Sequence, residues 1–253
     1  MHKTELKAYL DEKVDQYEHP RFLLDDPIQI PHRFSLREDV EVSAFFSATI
    51  AWGQRKTIIQ NASRLIELMG NSPYDFVMEH REEHLDRFST WCHRTFQPED
   101  LAYFLKSLRE LYRKFDTLES AFLDTDNPTL KNGIHNFHRE FFTFDPPIRT
   151  LKHVSDPFKG SAAKRLNMFL RWMVRPADRG VDFGLWTNIE PAQLSCPLDV
   201  HSGNVARKLG LLKRKQNDWK SVEELDTTLR HFDPKDPVKY DFALFGLGVF
   251  EKL

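Results

Sequence analysis

The chain has 253 residues, of which 40% are hydrophobic and 29% are charged, and it includes 21 Phe and 5 Trp. This composition is typical of a globular protein with a large core, and it excludes a chain that is mainly disordered. The 36 Lys and Arg nearly balance the 38 Asp and Glu, so the charge of the whole chain indicates no particular partner.

The sequence contains no apolar run near the ~20 residues that a membrane-spanning helix requires. Its first residues form a charged amphipathic segment that does not resemble a signal peptide, so we expect a cytoplasmic protein without a membrane contact. The two cysteines, Cys92 and Cys196, are too few for an iron–sulfur cluster, which takes four thiolates. We therefore predict no iron–sulfur cluster, no bound metal and no cofactor.

Apolar residues recur every three or four positions along most of the chain, which is the period of an α-helix. Leu101, Phe104, Leu105 and Leu108 form one such stripe, and we expect it to be core. No segment shows the alternation that is typical of a half-buried strand. The pattern predicts an all-α protein with helices at 3–17, 39–51, 55–70, 73–79, 99–113, 117–123, 129–143, 161–175, 202–212, 221–231 and 236–250.

Charge is distributed unevenly along the chain. Residues 151–215 contain 12 Lys and Arg against 5 Asp and Glu, whereas residues 1–150 contain 19 against 25 and residues 216–253 contain 5 against 8. A basic segment in an acidic chain is typical of a surface that binds phosphates, although many basic runs are plain solvated faces. This distribution makes a nucleic acid a candidate partner.

Within the basic segment, a turn precedes an amphipathic helix. Gly160 permits a tight turn, and the small residues Ser161 and Ala162 would leave N–H groups at the start of the helix open to an anion. Three cations are spaced by seven and four residues and so share one face of the helix: Lys164, Arg171 and Arg175. Such a row is expected to face phosphates. The alternative is the solvated basic face of an ordinary helix.

A second segment places a carboxylate directly before a helix. Asp199 follows Pro197 and Leu198 and precedes a helical stretch that contains His201 and Arg207. A carboxylate at this position accepts hydrogen bonds from the first N–H groups of the helix and is stabilised by the helix dipole. The simplest interpretation of Asp199 is therefore a helix cap.

Together, the two segments resemble those of the helix-hairpin-helix DNA glycosylases. That superfamily has a hairpin of the form Pro-Gly-Val-Gly-x-Lys, and further on Val-Asp-Thr-His before a helix with Arg-Leu-Gly-Leu. The corresponding stretches here are Lys159-Gly160-Ser161-Ala162-Ala163-Lys164, Leu198-Asp199-Val200-His201 and Arg207-Lys208-Leu209-Gly210-Leu211. The resemblance implies an all-α, two-lobed helix-hairpin-helix glycosylase-like fold with DNA as its partner.

The resemblance also implies roles for individual residues. Lys164 matches the lysine that attacks the sugar in bifunctional members, and Asp199 matches the catalytic aspartate. Trp52 and Gln54 match the loop that fills the gap left by an extruded base. The other residues expected at the nucleic acid are Gly160, Ser161, Ala162, Arg165, Arg171, Arg175, His201 and Arg207. Trp172 and Trp186 are further candidates for stacking on a base, although burial in a core is the commoner place for tryptophan.

The rest of the sequence fits one glycosylase-like unit over residues 1–253. We expect residues 1–38 and 216–253 to contribute to a lobe packed on a helical barrel, residues 156–175 to form the hairpin and basic helix, and residues 176–198 to be an insert. The stretch from Asp236 to Gly248 resembles the last barrel helix of the superfamily. Arg94-Thr95-Phe96 and Asp178-Arg179-Gly180-Val181-Asp182 resemble hallmarks of an uncharacterised bacterial family of the same clan, DUF2400.

The chain departs from the superfamily pattern in three places. The second glycine of the hairpin is Ala162 here, the insert is longer than in compact members, and the cysteines that follow the last barrel helix in iron–sulfur members are missing. An alanine requires a hairpin backbone that tolerates a Cβ atom. The missing cysteines agree with the branches that have no cluster.

From these observations the sequence predicts a DNA base-excision glycosylase, with or without lyase activity, that acts on a damaged or modified base flipped into a pocket. Lys164 would attack as the neutral amine, and Asp199 would stabilise the positive charge that develops on the sugar. The main alternative is a non-catalytic protein of the same fold that binds nucleic acid or senses its structure. A third is the same fold acting on RNA or on a free nucleoside.

Overall fold

The computed structural model describes residues 2–124 and 129–253. Over these residues the chain forms eleven α-helices joined by loops and 3₁₀ turns, and it forms no β-strand. The helices are α1 (Lys3–Tyr17), α2 (Arg37–Thr49), α3 (Arg55–Leu68), α4 (Pro73–Glu79), α5 (Pro98–Lys114), α6 (Leu118–Ala121), α7 (Leu130–Phe141), α8 (Lys164–Val174), α9 (Val200–Lys208), α10 (Trp219–Phe232) and α11 (Tyr240–Val249). The all-α prediction is confirmed, and each predicted helix has a counterpart whose ends differ by a few residues.

The chain divides into two compact units. The first contains residues 1–22, 129–131 and 156–253, and we call it the hairpin unit because the predicted hairpin lies in it. The second contains residues 23–128 and 132–155, and we call it the aromatic unit after its core. Within the described residues, no helix combines the length and the apolar character needed to cross a bilayer.

Helix α11 forms the core of the hairpin unit, where it packs against α1 and α9. Its sequence is apolar except at Asp241, and a helix that is apolar on all sides is buried on all sides. Phe242, Ala243, Leu244 and Leu247 are all fully buried. The ring of Tyr17 lies where a side chain at Gly246 would be, so α1 and α11 approach each other closely. Because α11 is buried, the carboxyl group of Asp241 is buried with it.

The aromatic unit is built around phenylalanine rings from α2, α5 and α7. Phe45, Phe104, Phe137 and Phe141 are buried, and the centroids of neighbouring rings lie 4.7 to 5.8 Å apart. These are the distances that aromatic pairs favour. The stripe predicted on α5 is part of this core, since Leu101, Phe104, Leu105 and Leu108 are all at most 1% exposed.

The predicted insert, residues 176–198, packs against the end of α8. Phe183 N donates a hydrogen bond to Trp172 O at 2.8 Å, and Trp186 N donates one to Met173 O at 3.0 Å. The insert therefore satisfies carbonyl groups that the end of a helix leaves without a partner. Trp172 and Trp186 are buried, so both are core residues and neither offers a stacking surface.

Candidate functional site

The hairpin before α8 begins with a short 3₁₀ turn, Pro157–Lys159, that ends at Gly160. Asp156 caps this turn, because its carboxylate accepts a hydrogen bond from Phe158 N at 2.9 Å. Gly160 has a φ of 86°, a left-handed conformation that glycine adopts without strain. A Cβ atom added there would meet nothing within 4 Å, so the outer surface of the turn is open to a ligand.

The alanine that replaces the second hairpin glycine does not carry a left-handed backbone. That conformation falls on the next residue, Ala163, which has a φ of 45° and caps α8 at a cost of ~1–2 kcal/mol for a residue with a Cβ atom. Asn167 Nδ2 donates to Ala162 O at 3.0 Å, and Ala163 N donates to Ser161 Oγ at 3.1 Å. Ala162 therefore fits, and the N–H groups of Gly160 and Ala163 are both occupied within the turn.

Lys164 and Asp199 face each other in the hairpin unit. Lys164 is the first residue of α8, and its Nζ atom lies 3.8 Å from Asp199 Oδ2. The side chains are 28% and 26% exposed. The separation is short enough for an electrostatic interaction but longer than a direct hydrogen bond. Both functional groups are therefore close together and accessible to a ligand.

The two carboxylate oxygens of Asp199 have different environments. Oδ1 accepts a hydrogen bond from Ser202 N at 2.9 Å and contacts Ser202 Oγ at 3.2 Å, which makes Asp199 the N-cap of α9 as predicted. Oδ2 is the atom that faces Lys164. The cap holds the carboxylate in one orientation, with Oδ2 directed at Lys164.

Arg207 supports the other side of Asp199. Its guanidinium group donates to Arg214 O and to Asn217 Oδ1, both at 2.7 Å. Asn217 Nδ2 in turn donates to Asp199 O at 3.0 Å. We expected Arg207 at the nucleic acid, but in the structure its donors hold the loop that supports the Asp199 backbone.

The structure corrects the predicted row of cations at two of its three positions. Arg171 and Arg175 are only 3% and 4% exposed, and their guanidinium groups form ion pairs of 2.6 to 3.3 Å. The carboxylate partners are Glu18, Asp182, Asp236 and Asp241. We call these six residues the buried ion-pair cluster. Arg171 and Arg175, which we expected to contact phosphates, bind carboxylates of the protein instead.

Asp241 is one of the four carboxylates of this cluster, none of which the sequence predicted as a partner of the two arginines. Its carboxyl group pairs with Arg171 and accepts a hydrogen bond from the Cys196 thiol at 3.9 Å. Burial raises the pKa of Asp241 to about 6; the charge of Arg171 opposes this shift, that of Asp199 adds to it, and that of Lys164 opposes it. The available signal was a single charged residue in an otherwise apolar helix, since a buried carboxyl is rarely placed without a reason.

Arg165 and His201 are the remaining predicted contacts in the hairpin unit. Arg165 follows Lys164 on α8, and burial lowers the pKa of its guanidinium to about 10. His201 is exposed in the first turn of α9, two residues after Asp199. Next to it, Val200 is an exposed apolar side chain. His201 is thus accessible at the end of α9 that carries Asp199.

Trp52 and Gln54 lie in the aromatic unit. The ring of Trp52 stacks on His153 with centroids 5.9 Å apart and meets the edge of His93 at 4.9 Å. Burial lowers the pKa of His93, and its Nε2 atom lies 3.1 Å from Trp52 O. Gln54 is exposed directly before α3. The loop therefore presents a half-buried ring, held by two imidazoles, next to an exposed amide.

Arg94 belongs to the same loop region, and the prediction gave it no role. Its backbone has a φ of 55°, which is uncommon for a residue other than glycine. Its Nη1 atom lies 3.1 Å from the place of a Cβ atom at Gly53, whose own φ is 108°. Only glycine fits at position 53, and the exposed guanidinium of Arg94 is held over the Trp52–Gln54 loop.

No group of three or more His, Cys, Asp or Glu side chains is arranged to hold a metal ion within residues 2–124 and 129–253. Burial raises the pKa of the Cys196 thiol well above its usual value, so this cysteine stays protonated and unreactive.

These features define an all-helical protein in which a lysine at the start of one helix faces an aspartate that caps another. The family whose model matches the chain is DUF2400, described as a protein of unknown function, over residues 26–250. The chain belongs to this family. No curated protein matches it, and no solved structure matches it.

Proposed function

We propose that this protein is a DNA base-excision glycosylase that uses Lys164 and Asp199 on a damaged or modified base. The observation that carries the proposal is the separation of 3.8 Å between Lys164 Nζ and Asp199 Oδ2, with both groups partly exposed. An amine nucleophile beside a fixed carboxylate can cleave an N-glycosidic bond through a covalent intermediate. The resemblance of both segments to the helix-hairpin-helix glycosylases supports the same assignment.

In this reaction the neutral amine of Lys164 attacks C1′ of the sugar. A bond forms between Nζ and C1′ while the bond from C1′ to the base breaks, and the base leaves with the electron pair and takes up the proton that Nζ loses. Positive charge develops on the sugar before the new bond is complete, and the carboxylate of Asp199 stabilises it. The bond from C1′ to the ring oxygen then breaks: the oxygen stays on C4′ and takes up a proton from water to become a hydroxyl, and the nitrogen lone pair completes a protonated Schiff base, from which strand cleavage proceeds.

The proposal is supported by the hairpin, where a phosphate of the DNA backbone could bind. Gly160 is exposed and left-handed, so a phosphate can approach this turn without meeting a side chain at that position, while the Gly160 N–H group itself donates to Pro157 O at 3.0 Å. Lys159 beside it is also exposed. A phosphate held here would lie next to the start of α8, where Lys164 begins the helix. The target base has to be flipped out of the duplex at a cost of a few kcal/mol.

The test is reductive trapping with borohydride on duplexes that contain an abasic site or an oxidised purine. The native protein is expected to give a covalent complex, and Lys164→Gln is expected to give none. Lys3→Gln is the matched control, because Lys3 is also an exposed first residue of a helix. Equal trapping by the native protein and Lys164→Gln, or none on any lesion, would remove the nucleophilic role of Lys164.

A second candidate function is binding of nucleic acid without chemistry. The observation that favours it is the same ion pair, because Lys164 and Asp199 at 3.8 Å also stabilise each other as charged groups. This function predicts strongly salt-dependent binding, unchanged in Asp199→Asn and without release of a base. A competition between DNA, RNA and free nucleosides for the native protein identifies the substrate class.

A further inference from the structure

The connection between α9 and α10 is strongly basic and exposed. Residues 208–220 contain five Lys and Arg against one Asp. The single arginine, Arg214, pairs with Asp218. The other four cations are exposed lysines that form no ion pair within the part of the chain that the structure describes: Lys208, Lys213, Lys215 and Lys220. We call these four residues the loop lysines.

Several other cations of the hairpin unit are neutralised by carboxylates of the protein. Arg171 and Arg175 belong to the buried ion-pair cluster, and four more cations form ion pairs of 2.7 to 3.1 Å. These four are Lys13, Lys131, Arg179 and Lys239. The loop lysines differ from them because their charge is left for a group outside the protein.

The backbone that carries the loop lysines is held by side chains of the two flanking helices. From α10, the Glu224 carboxylate accepts hydrogen bonds from Lys213 N at 2.7 Å and from Arg214 N at 3.3 Å. From α9, Arg207 donates to Arg214 O at 2.7 Å and to Gln216 O at 3.1 Å. Because these backbone groups have partners within the protein, the loop is ordered before a ligand arrives, and less conformational entropy is lost on binding.

The same connection contacts both segments of the candidate site. Asn217 Nδ2 donates to Asp199 O at 3.0 Å, and Trp219 N donates to Gly160 O at 3.1 Å. Lys159, which precedes Gly160, is another exposed lysine without an ion pair among the described residues. The loop lysines are therefore attached directly to the segments that carry Lys159 and Asp199.

The side chains of this surface suit the phosphates of a nucleic acid better than its bases. A lysine ammonium is a point charge that binds phosphate without reading sequence. Residues 208–220 contain one aromatic residue, Trp219, and it is only 3% exposed, so the connection has no ring on which an unpaired base could stack. The exposed ring of Phe158 on the hairpin has Lys131 Nζ over it at 5.3 Å. Since surfaces for single strands combine cations with stacking rings, the loop lysines fit the backbone of a duplex.

We propose that the loop lysines bind the phosphate backbone of a DNA duplex beside the target nucleotide, so that the duplex extends from the hairpin along the connection between α9 and α10. The inference takes DNA as the partner from the proposed function and rests on it to that extent. It adds a second contact surface, where the undamaged part of the duplex binds and where no bond is made or broken.

The first test is the salt dependence of binding to an undamaged DNA duplex, compared with one of its single strands. Each lysine that contacts a phosphate contributes about one to the slope of log affinity against log salt concentration. The double variant Lys213→Gln/Lys215→Gln is therefore expected to lower the slope for the duplex by about two. The native protein is expected to bind the duplex more tightly than the single strand at the same salt concentration.

The matched control is Lys3→Gln/Lys235→Gln, which removes the same charge from the hairpin unit. Both of its lysines are exposed and form no ion pair among the described residues, and neither belongs to the connection between α9 and α10. The slope of this control is expected to equal that of the native protein. Circular dichroism of both double variants checks that the fold is unchanged.

The second test uses the native protein, so it does not depend on the folding of a variant. Lysines are acetylated with an N-hydroxysuccinimide ester, with and without a saturating amount of the duplex, and the modified positions are measured by mass spectrometry. The loop lysines are expected to be protected by the duplex, whereas Lys3 and Lys235 are expected to react equally in both samples.

Four results would overturn the inference: an unchanged slope in Lys213→Gln/Lys215→Gln, an equal loss of slope in the two double variants, tighter binding of the single strand, or loop lysines that the duplex does not protect. Protection of the loop lysines by heparin alone would assign them to a different polyanion and would also overturn it. Protected loop lysines without borohydride trapping would remove only the proposed function. Trapping with unprotected loop lysines would remove only this inference.

Discussion

Asp226 is a buried carboxyl group that holds the chain just before the Lys164–Asp199 pair. It accepts a hydrogen bond from Cys196 N at 2.9 Å, three residues before Asp199. Arg230, one helical turn later on α10, donates to Ala192 O at 3.2 Å and to Leu194 O at 2.8 Å. The two side chains together fix the backbone that leads into the Asp199 cap.

Burial raises the pKa of Asp226 to about 6, and this predicts a pH-dependent effect of Asp226→Asn. The native state binds the proton more tightly than the unfolded chain, so this carboxyl group makes the protein less stable as pH rises from about 4 to about 6. Asn cannot ionise. Across that range the free energy of unfolding of the variant is expected to gain about 2–3 kcal/mol relative to the native protein.

Urea denaturation at a series of pH values, followed by tryptophan fluorescence, measures this difference. Asp178→Asn, at an exposed position of the insert, shows the background pH dependence of the unit. A difference between Asp226→Asn and the native protein that is the same at pH 4 and pH 7 would mean that Asp226 is ionised at both.

At the scale of elements, α9 and α10 hold the two sides of the site. Helix α9 carries Asp199 at its N-terminus. At the start of α10, Trp219 N donates to Gly160 O at 3.1 Å, and Asp218 forms a bridge with Ser161. The hairpin is therefore tied to a helix that follows it by more than 50 residues in the chain. The exposed turn at Gly160 is held in place by this contact.

Two substitutions of Asp199 distinguish its structural role as the cap of α9 from its proposed chemical role beside Lys164. Asp199→Asn keeps an oxygen that can accept from Ser202 N, so the free energy of unfolding is expected to change by less than about 0.5 kcal/mol. Asp199→Ala removes the acceptor and is expected to cost about 1 kcal/mol. Both variants lose the carboxylate that faces Lys164.

Chemical denaturation of both variants, together with trapping, checks this prediction. Both are expected to trap poorly, while only the alanine variant loses stability. A native rate of trapping in Asp199→Asn would show that the carboxylate charge is not needed and that Asp199 acts as a cap alone.

The hairpin unit as a whole has a smaller excess of positive charge than the basic segment that it contains. Residues 151–215 carry an excess of seven positive charges in the sequence, but the hairpin unit contains 21 Lys and Arg against 18 Asp and Glu, an excess of three. Acids from other segments, such as Glu18 and Asp236, neutralise the buried arginines. What is left for a phosphate is the exposed lysines and the hairpin backbone.

Because Arg175 is buried and Lys159 is exposed, substitutions at these two positions are expected to change different properties: stability for Arg175 and DNA binding for Lys159. Arg175→Gln leaves Asp182 and Glu18 buried without their shared cation, and it is expected to lower the free energy of unfolding by about 3–5 kcal/mol. Lys159→Gln at an exposed position is expected to change stability by less than about 0.5 kcal/mol. If Lys159 contacts a phosphate, its loss lowers the slope of log affinity against log salt concentration by about one.

Denaturation curves and DNA binding at several salt concentrations distinguish the two positions. An Arg175→Gln protein that is as stable as the native protein but binds DNA more weakly would restore the original interpretation of this arginine as a phosphate contact.

The local features of the site could be predicted from the sequence because they depend on near neighbours. The helical period locates all eleven helices, and the position of Asp199 before a helix predicts its cap, since the capped N–H group belongs to Ser202, three residues away. The left-handed turn at Gly160 is predicted for the same reason. The proposed roles of Lys164 and Asp199 came from the resemblance and stay predictions.

The partners of the buried charges were decided only by the tertiary structure. The spacing of Lys164, Arg171 and Arg175 shows that they share a helix face, but the period of a helix does not say what covers that face. Arg175 finds Glu18 157 residues away and Asp236 61 residues away, and Arg171 finds Asp241 70 residues away. The sequence by itself determined the helices and their caps, because both depend on bonds within one or two turns. Which cations face solvent and which are buried beside Asp241 depended on the packing of α1, α8 and α11, which brings distant carboxylates together.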